Sequence, residues 1–231
     1  MELSTSFYNL HSDPAFNYNL NRLAWTISIE ELKEVANKIE TISDWISVMK
    51  FQAKVSEKNE KYLNAARYYQ AAEFYMPHGD PEKAEIYKHS ISLINETIPE
   101  IAENRFVIPY KDGFLPAIKL EPSSKPKDII VWHGGFDSLL EEMYPMLKIL
   151  CDAGFLIIAF EGPGQGGALR THNLKMTYDW EKPISVVLDF FDVKKCVLIG
   201  MSLGGYLAAR AAAFERRIYR LVCWGALHDF S

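Results

Sequence analysis

The stretch Cys196-Val197-Leu198-Ile199-Gly200-Met201-Ser202-Leu203-Gly204-Gly205-Tyr206-Leu207-Ala208-Ala209-Arg210-Ala211-Ala212-Ala213 decides the fold. Its unbroken apolar opening predicts a strand buried on both faces, and its alanine-rich tail predicts a helix from Leu203 to Phe214. Between them, Gly200-Met201-Ser202-Leu203-Gly204 reads G-x-S-x-G, a weak signal alone because glycine and serine are common. Placed where a strand turns directly into a helix, it predicts a nucleophile elbow. Flanking glycines relieve crowding, so Ser202 can hold a strained backbone and lift its hydroxyl above the sheet. The helix N-terminus there favours developing negative charge. The competing reading, a capping serine between tightly packed glycines, fits this context less well.

Working outward, three more apolar runs end at glycines or turn signals. Asp128 to Trp132 leads into His133-Gly134-Gly135-Phe136-Asp137, Phe155 to Phe160 into Glu161-Gly162-Pro163-Gly164-Gln165, and Arg220 to Trp224 into Gly225. Helical stretches at Glu141–Cys151 and Ile184–Phe191 separate them, and strands alternating with helices predict a parallel sheet of βαβ units. Upstream, Arg105–Pro109 and Phe114–Leu120, joined at Lys111-Asp112-Gly113, predict an antiparallel hairpin.

His133-Gly134-Gly135-Phe136 follows the first parallel strand, where acyl-transfer chemistry needs a backbone N–H aimed at the substrate oxyanion. Gly135 is the first choice for that donor and Phe136 the second; Leu203, next to Ser202, supplies the other. Each such donor is worth about 3–4 kcal/mol of transition-state stabilisation. His133 reads as a ring that holds the loop rather than as the general base. Gly162-Pro163-Gly164-Gln165-Gly166-Gly167 matches the dinucleotide pattern G-x-G-x-x-G, but Pro163 occupies the turn and residues 168–173 read as irregular loop. Glu161, Gly162 and Gln165 are therefore expected to line the site together with His133 and Gly134, and no cofactor or metal is implied.

Before residue 104 the spacing is helical. Ser28-Ile29-Glu30-Glu31 predicts a capped helix, Ser43 or Asp44 a second N-cap, and residues 63–75 a third helix. Asp80-Pro81-Glu82 opens a fourth that ends by Pro99. The aromatic stripe Tyr62, Tyr68, Tyr69, Phe74, Tyr75 reads as core filling more readily than as a binding face. Residues 1–103 thus read as a helical, cap-like domain and residues 104–231 as an α/β core.

The 231 residues carry a formal charge of −5, with 48% hydrophobic and 24% charged residues. That balance excludes a disordered chain and a general nucleic-acid binder. No apolar run nears the ~18 residues that span a membrane. The N-terminal stretch lacks the basic and apolar regions of a signal peptide, and Cys151, Cys196 and Cys223 are scattered, so a reduced cytoplasmic setting is expected.

His133-Gly134-Gly135, Phe160-Glu161-Gly162-Pro163-Gly164-Gln165-Gly166 and Gly200-Met201-Ser202-Leu203-Gly204-Gly205 occur in an order and spacing that resembles the α/β-hydrolase superfamily. The likeness is to the branch of 2,6-dihydroxypseudooxynicotine hydrolase and FrsA-like esterases, and Ala65 to Phe74 is similar to that branch's helical domain. The resemblance implies a serine-type hydrolase acting on a small ester or ketone metabolite. It implies a site between the two domains, and a triad acid and histidine beyond Ser231, with the last strands. His172, His228 and Asp229 are local substitutes of poorer fit. A non-catalytic binding protein on the same scaffold is the alternative. An apolar last strand left as a sheet edge points to pairing with further chain or with a second copy as a homodimer.

Overall fold

The computed structural model describes residues 7–226, so His228 and Asp229 lie outside the described residues. The chain divides into two compact units, Met1–Glu100 and Ile101–Ser231.

The first unit is helical: α1 (Pro14–Leu23), α2 (Ile29–Ala36), α3 (Ile42–Lys58), α4 (Tyr62–Tyr75) and α5 (Pro81–Thr97), with the short α6 (Pro99–Glu103) at the boundary. The Ser28 side chain caps α2 by accepting from the Glu31 N–H, and Asp80 caps α5 with Pro81 at the first helical position. The cap of α3 is Thr41 rather than Ser43 or Asp44. Asp44 is the third helical residue and its carboxylate reaches back to the Thr41 N–H at 2.9 Å, closing a reciprocal capping box. The α1 helix was not anticipated. It starts at Asp13-Pro14, with the Asp13 carboxylate accepting from the Ala15 and Phe16 N–H groups. In the aromatic stripe Tyr68 and Tyr69 are core, and Phe74 and Tyr75 are half-buried. Tyr68 is fully buried and donates to Glu31 at 2.8 Å, while Phe16, Trp45 and Tyr75 pack ring to ring. Tyr62, by contrast, is exposed.

The second unit is built on β1 (Arg105–Tyr110), β2 (Gly113–Leu120), β3 (Ile129–His133), β4 (Leu156–Phe160), β5 (Cys196–Met201) and β6 (Ile218–Trp224). Among the described residues these form one sheet in the order β1-β2-β4-β3-β5-β6. The β1/β2 hairpin is antiparallel and joins β4 antiparallel; β4, β3, β5 and β6 run parallel. The connecting helices are α7 (Leu140–Asp152), the short α8 (Gly166–Arg170), α9 (Glu181–Phe190) and α10 (Leu203–Phe214). Gly166 and Gly167, read from sequence as part of a glycine-rich loop, and residues 168–170, read as the start of an irregular loop, form this short helix; Pro163 and the glycines hid its start. α9 also begins three residues earlier than the apolar spacing indicated.

Val131, Ile158, Leu198, Val187 and Leu207 meet in the core between sheet and helices. The chain leaves β3 toward β4 through α7, and leaves β5 toward β6 through α10. The strand order therefore reverses between the neighbours β3 and β5, which opens a crevice at their C-terminal ends. His133 ends β3 directly beside Gly200 of β5. No helix among the described residues is long and apolar enough to cross a membrane.

Candidate active site

Ser202 sits in that crevice, where β5 hands over to α10. Its φ of 57° and ψ of −126° put a non-glycine residue in a region that side chains rarely occupy. It is exposed, and its N–H donates to the Trp224 carbonyl at 2.8 Å, so the bend is tied to the end of β6. The glycines on either side are required by close approach. A Cβ at Gly200 would overlap the Gly204 carbonyl oxygen, and one at Gly204 would overlap the Gly134 carbonyl oxygen. Leu203 opens α10, so its N–H belongs to the first turn, which has no intrahelical acceptor.

The loop after β3 lies against this bend. A Cβ on Gly135 would stand 2.9 Å from the Met201 carbonyl oxygen, 3.0 Å from Ser202 Cβ and 3.1 Å from the Leu203 nitrogen. The loop therefore brings Gly135 onto Ser202 and Leu203. The Gly135 N–H, the first choice for an oxyanion donor, is already engaged. It donates to Ser138 Oγ at 3.2 Å. Among the described residues no acceptor takes the Phe136 N–H, and the residue is 71% exposed, so this amide is open to an incoming acceptor.

His133 is fully buried. Trp180 Nε1 can only donate, and it reaches His133 Nε2 at 3.1 Å, so that ring nitrogen is an acceptor and Nδ1 carries the proton. Nδ1 then donates to the Gly134 carbonyl at 3.0 Å. Burial lowers the imidazole pKa to about 4. A neutral ring with both nitrogens engaged is a loop support and not a proton acceptor for Ser202.

Gln165, at the start of α8, is 1% exposed. Its Nε2 donates to the Gly134 and Gly135 carbonyls, each at 2.7 Å, and its Oε1 accepts from the Gly162 N–H at 2.8 Å. Glu161 accepts from the Leu140 N–H at 3.2 Å and the Gly167 N–H at 2.6 Å, bracing the starts of α7 and α8. Burial, and then the charge of Glu141, push its carboxyl pKa upward. Arg105 pairs with Glu141 at 2.6 Å. Gly162 lies against the Trp180 ring. Sequence reasoning missed Ser138 and Trp180. Ser138, three residues past Gly135, was detectable as a loop hydroxyl; Trp180 is 47 residues from His133 and carried no spacing signal.

His172 is not at the elbow. It packs against Phe114 at 5.1 Å between ring centroids, beside β2, which β4 and β3 separate from β5. In the helical unit, His11 Nε2 bonds the Ile39 carbonyl and His89 meets Glu57. Among the described residues no group of three or more His, Cys, Asp or Glu side chains could hold a metal ion.

The model of the alpha/beta hydrolase fold matches residues 128–231, the segment that holds the β3 loop and the elbow. The chain has the α/β-hydrolase fold. The 20-hydroxy-prefusarin hydrolase FUS2 of Gibberella moniliformis is 34% identical over 191 residues, 73% of this chain and 45% of the relative. Hydrolase LUC6 of a Fusarium species is 33% identical over 192 residues, with the same coverage of both chains. The chain thus spans about half the length of these curated relatives. Two solved structures share the fold at lower identity. AbyA5 superposes with a TM-score of 0.72 at 23% identity, covering 90% of this chain and 62% of that one. The 2,6-dihydroxy-pseudo-oxynicotine hydrolase does so with 0.65 at 20%, covering 93% and 66%. Alignment of this hydrolase fold with both extends through the helical region as well as the sheet.

Proposed function

We propose that the protein is a serine-type hydrolase that acts on a small ester or ketone-containing metabolite through an acyl-enzyme on Ser202. The observation that carries this reading is the forced φ of 57° at an exposed serine on the strand-to-helix bend, in the crevice where the strand order reverses. Such strain persists where the surrounding structure over-determines it, and it clusters at reacting groups. The hydrolase names of the relatives, one of them for a substrate called 20-hydroxy-prefusarin, support hydrolysis of a small organic metabolite.

Ser202 Oγ attacks the substrate carbonyl carbon, its proton passing to a base. The carbonyl oxygen takes up the negative charge between the Leu203 and Phe136 amides. Collapse expels an alcohol or, beside a ketone, a carbon leaving group that takes up a proton, and leaves the acyl group on Ser202. Water then attacks the ester and restores the serine. His133 cannot be the base, because Trp180 occupies its one acceptor nitrogen. In this fold the acid and the histidine base follow the nucleophile in the chain, in the order nucleophile, acid, histidine.

Rapid mixing of the full-length protein with p-nitrophenyl acetate tests the acyl-enzyme. The expected result is a burst of nitrophenolate near one equivalent, with a mass gain of one acetyl group on the Ser202 peptide. No burst and no acetylated Ser202 would leave a binding protein on a hydrolase scaffold.

A further inference from the structure

We propose that Gln165 is the positioning residue of the oxyanion site, fixing the direction of the Phe136 N–H by holding the carbonyl on the far side of the same peptide group. The inference rests on the reading of Ser202 as nucleophile and adds a residue whose work lies 30 positions away from the loop it holds.

The Gly135 carbonyl and the Phe136 N–H belong to one planar group, and no cis peptide occurs among the described residues, so the two point in opposite directions. Whatever anchors the carbonyl oxygen sets where the amide hydrogen points. Gln165 Nε2 anchors it at 2.7 Å. The second hydrogen of the same NH2 group goes to the Gly134 carbonyl, also at 2.7 Å, so both peptide groups that flank Gly135 are held by one side chain.

The end-for-end placement of the amide is fixed by its neighbours. Two carbonyls face one end and the Gly162 N–H faces the other, so only Nε2 toward the β3 loop satisfies all three partners. Glycine leaves residue 135 free to rotate about both backbone bonds, and a free loop would scatter the Phe136 amide over many directions. Three observations remove that freedom: the Gln165 clamp, the Gly135 N–H to Ser138 Oγ bond, and the close approach of Gly135 to Ser202 and Leu203. With the side chain 1% exposed, water does not compete for these bonds. Gln165 therefore does what a catalytic residue depends on without touching the reacting atoms. Displacing an aligned group by about 1 Å costs on the order of 10²-fold in rate.

The test uses the full-length protein and two near-isosteric variants. Gln165→Glu keeps an acceptor for the Gly162 N–H and, when ionised, loses both donors; Gln165→Met loses all three bonds and keeps the bulk. Active sites are counted by the p-nitrophenyl acetate burst, so misfolded molecules do not enter the rate. In both variants kcat per active site is expected to fall about 10²-fold at pH 8 while KM stays within threefold. Amide exchange of the 134–139 segment, followed by mass spectrometry, is expected to speed up at least tenfold. A side chain that merely supports folding would lower the count of active sites and leave kcat per site unchanged, which would overturn the proposal. Unchanged loop exchange in both variants would overturn it as well. If the wild-type protein shows no burst, the reading of Ser202 fails; the exchange result then decides separately whether Gln165 holds the loop.

Discussion

At the residue level, the geometry around Ser202 is a matter of what cannot be present. A methyl group at Gly200 has no room, because the Gly204 carbonyl and Ala208 occupy the place where it would go. Gly200→Ala is expected to cost about 3 kcal/mol, the upper end of overpacking, visible as a lowered urea midpoint. A midpoint equal to wild type would show that the bend is looser than described. His133 gives a pH-dependent counterpart. Its folded pKa of about 4 lies below the unfolded value of 6.5, so above pH 6.5 both states are neutral and the group contributes no pH dependence. As pH falls from 6.5 toward 4 the unfolded chain takes up a proton that the folded chain refuses. Stability is expected to drop by about 3 kcal/mol across that window. NMR titration of the ring checks this directly; a midpoint near 6.5 would contradict the buried Trp180–His133–Gly134 chain.

At the level of elements, legibility followed the strength of local signals. β3, β4, β5 and α10 were readable because long apolar runs stop at glycines, and α10 begins and ends where alanine spacing placed it. The α8 turn and the start of α9 were not, since Pro163, four glycines and a polar segment outweigh helical periodicity in so short a stretch. The clamp on the β3 loop was invisible for a different reason. Gln165, Gly162 and Gly135 meet through folding of two separate βα turns, and one-dimensional spacing does not encode that meeting. Caps are the opposite case, being wholly local, yet three hydroxyl or acid candidates stand within four residues at the start of α3. Thr41 wins because it closes both bonds of the box with Asp44. Thr41→Ala is expected to cost about 1 kcal/mol by thermal unfolding, whereas Ser43→Ala is expected to change stability by a few tenths at most.

For the whole molecule, the sheet has unequal edges. On β1 the Phe106 ring packs against Phe190 and Phe191 and Val107 is exposed, whereas β6 leaves three apolar side chains, Leu221, Val222 and Trp224, exposed at 37%, 45% and 50%. An apolar, exposed edge strand is a template for pairing. The 231-residue polypeptide made alone is expected to self-associate in size-exclusion chromatography, and Val222→Lys to shift it toward the monomer; a monodisperse monomer at 50 µM would contradict this. The same scale explains why the site was only half legible. The proposed nucleophile and the proposed oxyanion donors cluster around two adjacent βα turns. The proton-transfer partners of this fold come from later strands, in a chain that spans about half of its relatives.

The central claim is that Ser202 is a nucleophile, and covalent labelling tests it most directly. Full-length protein is treated with a fluorophosphonate and digested, and the modified residue is located by tandem mass spectrometry. One adduct on Ser202, absent from the Ser202→Ala variant, is the predicted result. Labelling that persists in Ser202→Ala, or a Ser202 peptide that stays unmodified under conditions that label a control hydrolase, would contradict the account.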